Sequence, residues 1–99
     1  MKVRITPPAK ADLFEIGAWI EQDNPNRAVT FVEELYSACL GLGSLPRGYP
    51  LVPRHEDSGI RRRTYKRYLI FYFVLDGQVE VLRVLHGARD YEAILFAAD

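Results

Sequence analysis

The first stretch of the chain has the pattern of a strand that leads into a helix. Residues 1–6 alternate polar and apolar side chains, as a half-buried β-strand does. Thr6 is followed by Pro7, and proline favours the first turn of a helix because an N–H at that position has no intrahelical partner. Apolar side chains then recur at helical spacing to about Gln22, at Ala9, Leu13, Ile16 and Ile20. We therefore predict a first helix here.

A second helical pattern follows almost at once. Asn24 and Pro25 repeat the start signal, with asparagine as the capping residue. The apolar stripe behind them consists of Ala28, Phe31, Val32, Leu35, Tyr36, Cys39 and Leu42. Gly41, Gly43 and Pro46 weaken this stripe and end it. Because the connection between the two patterns is so short, the predicted helices form an antiparallel hairpin.

Beyond residue 46 the hydrophobic period changes to that of strands. Residues 46–59 hold three prolines and two glycines and are predicted to be a loop. Three strand candidates follow, at residues 60–65, 68–75 and 78–85. Asp76 and Gly77 separate the last two, and Asp-Gly is a strong hairpin signal because both turn positions need positive φ. A mildly helical segment, residues 89–98, completes the order β-α-α-β-β-β-α.

Composition limits the class of protein. A length of 99 residues with 48% hydrophobic content predicts one folded domain, residues 1–99. The single cysteine excludes a disulfide framework, and the longest apolar run, residues 68–75, is too short for a membrane helix. Thirteen Lys and Arg balance thirteen Asp and Glu, which excludes a globally basic nucleic-acid coat protein. The pattern of a secretion leader is not found before the first predicted element, so we expect a cytoplasmic protein without a membrane partner.

The balance of charge conceals a local excess. Residues 61–67 carry five cations and no anion; we call Arg61, Arg62, Arg63, Lys66 and Arg67 the basic cluster. On a strand, Arg61 and Arg63 face one way and Arg62 the other. The cluster either protects an edge strand from pairing or binds an anionic partner, which can be RNA phosphate or acidic side chains of another protein. Direct nucleic-acid binding is left open.

One further arginine interrupts an apolar strand pattern. In strict alternation Arg83 shares a face with Val79, Val81 and Leu85. A charge among such neighbours needs a partner or a groove open to water. Two explanations stand side by side: an ion pair with a helix carboxylate such as Glu33 or Glu34, and a role in function.

The end of the last predicted strand carries groups capable of proton transfer. His86, Arg89 and Tyr91 could supply a general acid or base, a phosphate clamp and a second proton donor. Such residues also occur near strand ends by chance. His55 and His86 have no carboxylate at ligand spacing, so we expect neither a metal site nor a cofactor.

The first helix also carries residues outside its apolar stripe. We expect Asp12 and Glu15 to face solvent. Phe14 lies away from the stripe and Trp19 beside it. Together with Phe31, these aromatic residues either widen the core or form an exposed groove on the helical hairpin for a partner segment.

Several of these segments resemble a known family. They are residues 10–13, Ile16, residues 24–25, Ala28, Phe31, residues 59–61 and 68–72, and above all residues 83–90, Arg-Val-Leu-His-Gly-Ala-Arg-Asp. Together they are similar to the RelE/ParE superfamily of toxin–antitoxin toxins, in its ParE branch. The resemblance implies an α+β fold in which a helical hairpin packs on a small, mainly antiparallel four-stranded sheet.

The two branches of this superfamily act differently. RelE-like toxins are ribosome-dependent mRNA endoribonucleases, and the resemblance places two of their functional positions at Leu69 and Leu95, where the functional residue is lost. A third corresponds to Arg89 and is kept, and some RelE-like enzymes use a histidine near His86. Because two RelE-like functional residues are lost and only one is kept, the resemblance favours the ParE branch. Members of that branch poison DNA gyrase.

The resemblance therefore implies a non-enzymatic gyrase inhibitor that forms a hetero-oligomer with a ParD-like antitoxin. We assign gyrase contacts to the C-terminal helix and to Arg61, Arg62, Arg63, Lys66, Arg67, Arg83 and Arg89. We assign antitoxin contacts to Phe14, Trp19, Phe31 and Arg63. The alternative is a RelE-like ribonuclease that uses His86, Arg89 and Tyr91. A third possibility is a homologue that only binds its antitoxin.

Overall fold

The computed structural model describes residues 1–97, and these form the predicted order of elements. The helices and strands are β1 Lys2–Ile5, α1 Pro7–Glu21, α2 Pro25–Leu40, β2 Arg61–Tyr65, β3 Tyr68–Leu75, β4 Gln78–His86 and α3 Tyr91–Leu95. Helix α3 is shorter than the predicted segment, whose residue Ala98 lies outside the described residues. Neither α1, α2 nor α3 is long and apolar enough to cross a membrane.

The strands form one sheet in the order β1-β4-β3-β2. β1 runs parallel to β4, whereas the other two pairs are antiparallel. Asp76 and Gly77 have φ values of 52° and 73°, which confirms the predicted tight hairpin turn between β3 and β4. The mainly antiparallel four-stranded sheet implied by the resemblance is therefore correct.

The helical hairpin covers one face of this sheet. Ile70 and Tyr72 of β3 are fully buried beneath it, together with Leu35 and Cys39 of α2. At the start of α2 the predicted cap is present, since the Asn24 side chain accepts a hydrogen bond from the Arg27 N–H at 3.1 Å. This layer holds most of the hydrophobic core.

A smaller cluster lies on the opposite face. Val52, Phe71 and Leu85 are buried there, and α3 packs against them. Val52 comes from the predicted loop, residues 46–59, whose Leu51 also forms an isolated bridge with Arg61. This loop and α3 therefore cover the face that the helical hairpin leaves open.

The prediction that side chains alternate strictly along β4 is wrong. The β3–β4 register pairs Tyr72 with Val81 and Phe71 with Arg83, so that Leu82 is an extra residue in a β-bulge. Val84, rather than Leu85, consequently packs in the core beneath the helical hairpin. A bulge shifts the period by one residue, and the apolar pattern of β4 alone did not reveal it.

Candidate functional site

The arginines of β2 are held inside the fold. The Arg61 guanidinium donates to the Tyr49 carbonyl at 2.8 Å, and that of Arg63 donates to the Ala38 carbonyl at 2.7 Å. Arg63 also lies over the Tyr49 ring, 5.1 Å from its centroid. These contacts join β2 to the loop and to the C-terminal end of α2, where carbonyl groups lack intrahelical partners.

Arg62 points to the other face, as alternation predicts. Its guanidinium donates to the Tyr91 hydroxyl at 3.2 Å and lies 5.8 Å from the centroid of the Tyr91 ring. It therefore joins β2 to α3. The outer edge of β2 is itself covered, because the Arg62 N–H donates to the Pro50 carbonyl at 2.9 Å. The edge-protection hypothesis thus explains little about these arginines.

Arg83 has a partner that the sequence analysis did not identify. Its Nε and Nη2 donate to both carboxylate oxygens of Asp12, at 2.7 and 2.8 Å. Asp12 also accepts a hydrogen bond from the Val84 N–H at 2.9 Å. The predicted ion pair of Arg83 with a helix carboxylate is confirmed, but the named partners Glu33 and Glu34 are wrong. The predicted outward orientation of Asp12 is also wrong, since this residue is only 5% exposed.

A signal for Asp12 was nevertheless present in the sequence. Asp12 lies three residues after Ala9 and four before Ile16, which places it on the buried stripe of α1. A carboxylate on an apolar stripe and an arginine on an apolar strand each need a partner. Each satisfies the other, and the hydrogen bonds that Arg83 donates to Asp12 raise the pKa of the Arg83 guanidinium.

The remaining predicted target-binding cations gather at one corner of the sheet. Lys66 and Arg67 form the turn between β2 and β3, and the Gly87 N–H donates to the Arg67 carbonyl at 2.8 Å. This contact brings the turn beside the segment that carries Arg89. We call Lys66, Arg67 and Arg89, all three exposed, the basic corner. Within residues 1–97, the side chains of Arg67 and Arg89 form no ion pair.

Lys66 is bound more firmly than the other two cations. It donates to Glu34 at 3.1 Å, and Glu34 also accepts hydrogen bonds from Arg27 and Tyr65. Hydrogen bonds from Arg27, Tyr65 and Lys66 lower the pKa of Glu34 to about 2. Lys66 therefore has a carboxylate partner inside the molecule, whereas Arg67 and Arg89 are available to a partner outside it.

A groove between α1 and β4 opens beside the basic corner. It has a volume of ≈ 550 Å³ and is lined by Trp19, Tyr68, His86 and Arg89, with the carboxylates of Asp12 and Glu15. The His86 ring meets the Tyr68 ring edge-on at 5.2 Å, and its Nδ1 accepts a hydrogen bond from the Ala88 N–H at 3.0 Å. His86 and Arg89 are thus brought together.

Tyr91, the third member of the predicted catalytic set, does not line this groove. Its hydroxyl accepts the hydrogen bond from Arg62, and its ring packs 5.1 Å from that of Phe71. Leu69 and Leu95, where the resemblance implies lost functional residues, pack against the same smaller cluster. The three residues proposed for proton transfer and phosphate binding are therefore divided between two environments.

Helix α3 is fixed by contacts that sequence reasoning missed. Glu92 accepts hydrogen bonds from Arg54 at 2.6 Å and from the His55 ring at 2.8 Å. His55 also stacks on Phe96, with ring centroids 3.8 Å apart. No periodic pattern links a loop residue to a helix so far along the chain, so no sequence signal pointed to these contacts.

The aromatic residues assigned to antitoxin binding also separate. Phe14 is 78% exposed and Trp19 69% exposed, so both lie on the surface of the hairpin. Phe31 is buried and packs near the rings of Tyr65 and Tyr68. Phe31 therefore belongs to the wide core stripe, whereas Phe14 and Trp19 offer apolar surface to a partner.

Comparison with known proteins agrees with this fold. A family model described as ParE toxin of type II toxin-antitoxin system, parDE, matches residues 3–91. The chain is similar to a structure of the chromosomal ParDE system from P. aeruginosa, with a TM-score of 0.77 and 20% identity over 87% of this chain and 95% of that chain.

A second solved structure is also similar to this chain. It is the toxin–antitoxin complex RelBE2 from Mycobacterium tuberculosis, with a TM-score of 0.63 and 24% identity over 89% of this chain and 92% of that chain. Both structural similarities show a shared fold. No curated protein sequence matches the chain.

Proposed function

The chain belongs to the ParE toxin family of type II toxin–antitoxin systems, and on this premise we propose that it inhibits DNA gyrase by binding it, without chemistry of its own. It acts in the cytoplasm and is neutralised by a ParD-like antitoxin. The structure similar to it from P. aeruginosa is described as a ParDE system, which supports an antitoxin as partner.

The basic corner is the observation that carries this proposal. Arg67 and Arg89 are exposed and form no ion pair within residues 1–97, and Arg89 lines the groove that also presents Trp19. Arginine binds carboxylates in a planar two-point geometry, and an aromatic neighbour adds apolar contact area. An acidic protein surface is therefore a suitable ligand for this corner.

The separation of His86 from Tyr91 favours binding over catalysis. His86 Nδ1 already accepts a hydrogen bond from the Ala88 N–H, and Tyr91 is engaged by Arg62. A general acid–base pair needs both groups within reach of one substrate. The apolar side chains at Leu69 and Leu95 provide no replacement for the missing partner.

Ribosome-dependent mRNA cleavage is the second candidate, and one observation favours it. His86 and Arg89 line one groove together with the rings of Trp19 and Tyr68. Such a set can hold a phosphate and stack on a base. If this reading is correct, removing the imidazole lowers the cleavage rate by about 10²–10⁴-fold.

The antitoxin is expected to cover the exposed apolar surface of the helical hairpin. Phe14 and Trp19 lie on α1, and Trp19 also lines the groove beside the basic corner. An amphipathic segment that covers Trp19 would block access to Arg89. Neutralisation would then follow from occupation of one shared surface.

A supercoiling assay with purified gyrase tests the proposal. We expect the wild type to inhibit supercoiling, an antitoxin of the ParD type to restore it, and Arg67→Ala with Arg89→Ala to weaken inhibition by about tenfold or more, equivalent to ~1.4 kcal/mol of binding energy. Arg47→Ala with Lys10→Ala removes two exposed charges elsewhere and should inhibit like the wild type.

The same proteins are added to ribosomes translating a defined mRNA, together with His86→Gln. The gyrase proposal expects no cleavage and nearly full gyrase inhibition by His86→Gln. Cleavage by the wild type that is lost in His86→Gln, with supercoiling unaffected, would establish the ribonuclease instead. Inactivity in both assays, with antitoxin binding retained, would indicate a homologue that only binds its antitoxin.

A further inference from the structure

The backbone of β4 changes its partners at Val81. β1 ends at Ile5, which lies opposite Val81 in the parallel ladder, and within residues 1–97 no other strand continues that side of β4. The bulge at Leu82 follows directly after this pair. Backbone N–H and C=O groups that are shielded from water need partners. Here two side chains provide them, one from the junction of β1 and α1 and one from α1.

Thr6 is the first of these side chains. Its hydroxyl lies 2.7 Å from the Val81 carbonyl oxygen and 3.2 Å from the Leu82 carbonyl oxygen, and it donates to this pair of acceptors. Threonine before the first turn commonly caps a helix, but the Thr6 side chain accepts no hydrogen bond from Pro7–Glu21. The hydroxyl is therefore bound to the backbone of β4 and not to α1.

Asp12 is the second side chain. Its carboxylate accepts a hydrogen bond from the Val84 N–H at 2.9 Å, two residues after the bulge, and two more from the Arg83 guanidinium. Thr6 and Asp12 are 9% and 5% exposed. Buried polar groups therefore hold the backbone on both sides of Leu82.

The bulge decides which face of the sheet each later residue of β4 occupies. Without it, strict alternation would place Leu85 beneath the helical hairpin and His86 on the side of α3. With it, Val84 packs beneath the hairpin, Leu85 packs in the smaller cluster, and His86 lines the groove against α1. A slip of one residue exchanges the two faces of a strand. The placement of His86, and of Arg89 shortly after it, therefore depends on the bulge.

The apolar pattern of β4 does not select the bulged arrangement. Leu85 could replace Val84 beneath the hairpin, and β4 would then alternate regularly. The hydroxyl of Thr6 and the carboxylate of Asp12 do select the bulge, because both bind backbone groups beside it. Two polar side chains therefore choose between two possible registers of β4.

We propose that Thr6 and Asp12 are positioning residues, which hold the bulge in β4 and thereby place His86 and Arg89 in the groove between α1 and β4. Neither residue needs to touch the target. Bulges beside functional sites re-aim side chains in this way. The placement is measurable in the free protein, and only its effect on gyrase rests on the proposed function.

Thr6→Val tests the proposal in the folded chain, because it keeps the shape of the side chain and removes the hydroxyl. Amide relaxation dispersion at Gly87 and Arg89 detects a second arrangement of this segment that exchanges in microseconds to milliseconds. We expect its population to rise about fivefold over the wild type, the change that loss of one hydrogen bond produces. Thr6→Ser retains the hydroxyl and should match the wild type.

Deletion of Leu82 separates positioning from a general contribution to stability. It removes the extra residue and keeps the register of β3 against β4 on both sides, so a regular strand then leads to the same placement of His86. In the Thr6→Val background, we expect the deletion to abolish the second state. A second state that does not rise in Thr6→Val, or that persists after the deletion, would overturn the proposal.

Asp12→Asn is a second test that does not depend on the deletion variant. It keeps one acceptor oxygen and removes the charge, and it should populate the same state, with the same shift differences at the Gly87 and Arg89 amides as Thr6→Val. Leu42→Ala removes a buried apolar side chain and should destabilise the protein without populating that state. A different state in Asp12→Asn, or the same state in Leu42→Ala, would contradict a joint action through the bulge.

The supercoiling assay measures the effect on function. Thr6→Val should inhibit gyrase about fivefold less than the wild type, because a segment that is no longer fixed must be ordered when it binds. Deletion of Leu82 in that background should restore inhibition. Full inhibition by Thr6→Val despite the second state would overturn the positioning role.

The two assays distinguish failure of this inference from failure of the proposed function. If the second state behaves as expected but the wild type does not inhibit gyrase, the placement of His86 and Arg89 by Thr6 and Asp12 stands and the proposed function is wrong. If the wild type inhibits gyrase but Thr6→Val shows no second state, the proposed function stands and this inference is wrong.

Discussion

The arginines inside the fold and the arginines of the basic corner share a residue type but not a role. Arg61, Arg62 and Arg63 each donate to a group of another element, and Arg83 is held by Asp12. At the corner, within residues 1–97, Arg67 and Arg89 form no ion pair. All of these cations were predicted from the sequence to bind the target, although four of them connect parts of the molecule.

The difference depends on what covers each strand. β2 has the helical hairpin and Tyr49 on one side and α3 with Val52 on the other, so its long side chains find acceptors in both directions. The turn at Lys66 and the segment at Arg89 project beyond these layers. A run of cations in a sequence therefore gives the charge of a segment, while the surrounding layers decide which of those charges remain available to a partner.

Asp12→Ala should have the largest effect on stability. It leaves the Arg83 charge and the Val84 N–H without their acceptor in a site where the aspartate is 5% exposed. Removing one partner of a buried pair destabilises a protein by about 3–5 kcal/mol. Urea denaturation measures this as a lower midpoint with an unchanged slope.

Glu15→Ala provides the matched control, since it removes an exposed carboxylate from the same helix. We expect it to change the free energy of unfolding by no more than ~0.5 kcal/mol. If Asp12→Ala were equally mild, Arg83 would not be needed within the fold and would return to the set of target-binding candidates.

Arg63→Ala should have a smaller but clear effect. The substitution removes a hydrogen bond to the Ala38 carbonyl and the contact with the Tyr49 ring. A charged hydrogen bond contributes about 1.5–3 kcal/mol, and we expect the free energy of unfolding to fall by about 2 kcal/mol. Arg63 thus differs from an exposed surface arginine, whose ion pairs contribute only ~0–1 kcal/mol.

Arg67→Ala, four positions further along the same cluster, is the control for Arg63→Ala. Its side chain is exposed, and the change should stay within ~0.5 kcal/mol of the wild type. Equal destabilisation by the two substitutions would remove the distinction between the interior arginines and the corner. It would also mean that loss of gyrase inhibition in the corner variant reflects unfolding.

The sequence was sufficient for most of the fold. Pro7 and Pro25 mark the starts of both long helices, and Asp76 with Gly77 marks the last hairpin. These signals are local, because proline and Asp-Gly restrict φ at the positions where they occur. The bulge at Leu82 was missed because its cause is the alignment of two strands and not a property of β4 alone.

The candidate site was less predictable, because its contacts, like the bulge, depend on how separate elements are aligned. The partner of Arg83 lies 71 residues earlier in the chain, and Tyr91 is turned away from His86 by packing on Phe71. Such contacts follow from the arrangement of whole elements. What the sequence indicated correctly is the alternation of Arg62 against Arg61 and Arg63, which follows from the geometry of any strand.

Acidification should give the smallest effect and tests Lys66, which is intermediate between the two groups of cations. Hydrogen bonds from Arg27, Tyr65 and Lys66 lower the pKa of Glu34 from 4.5 to about 2 in the folded protein. A carboxylate with a lowered pKa stabilises the folded state fully above its unfolded pKa and loses that contribution as the pH falls toward the folded value. The stabilisation should therefore decline between about pH 4.5 and pH 2.

Urea denaturation across this pH range, with wild type and Glu34→Gln, measures the effect. The Glu34 side chain is 33% exposed, so the contribution is screened by solvent and should shrink further at high salt. We expect the wild type to be the more stable protein near neutral pH and the difference to narrow as the pH falls. A difference that stays constant with pH would mean that Glu34 does not hold Lys66 by charge, and Lys66 would then join Arg67 and Arg89 as a cation available to the partner.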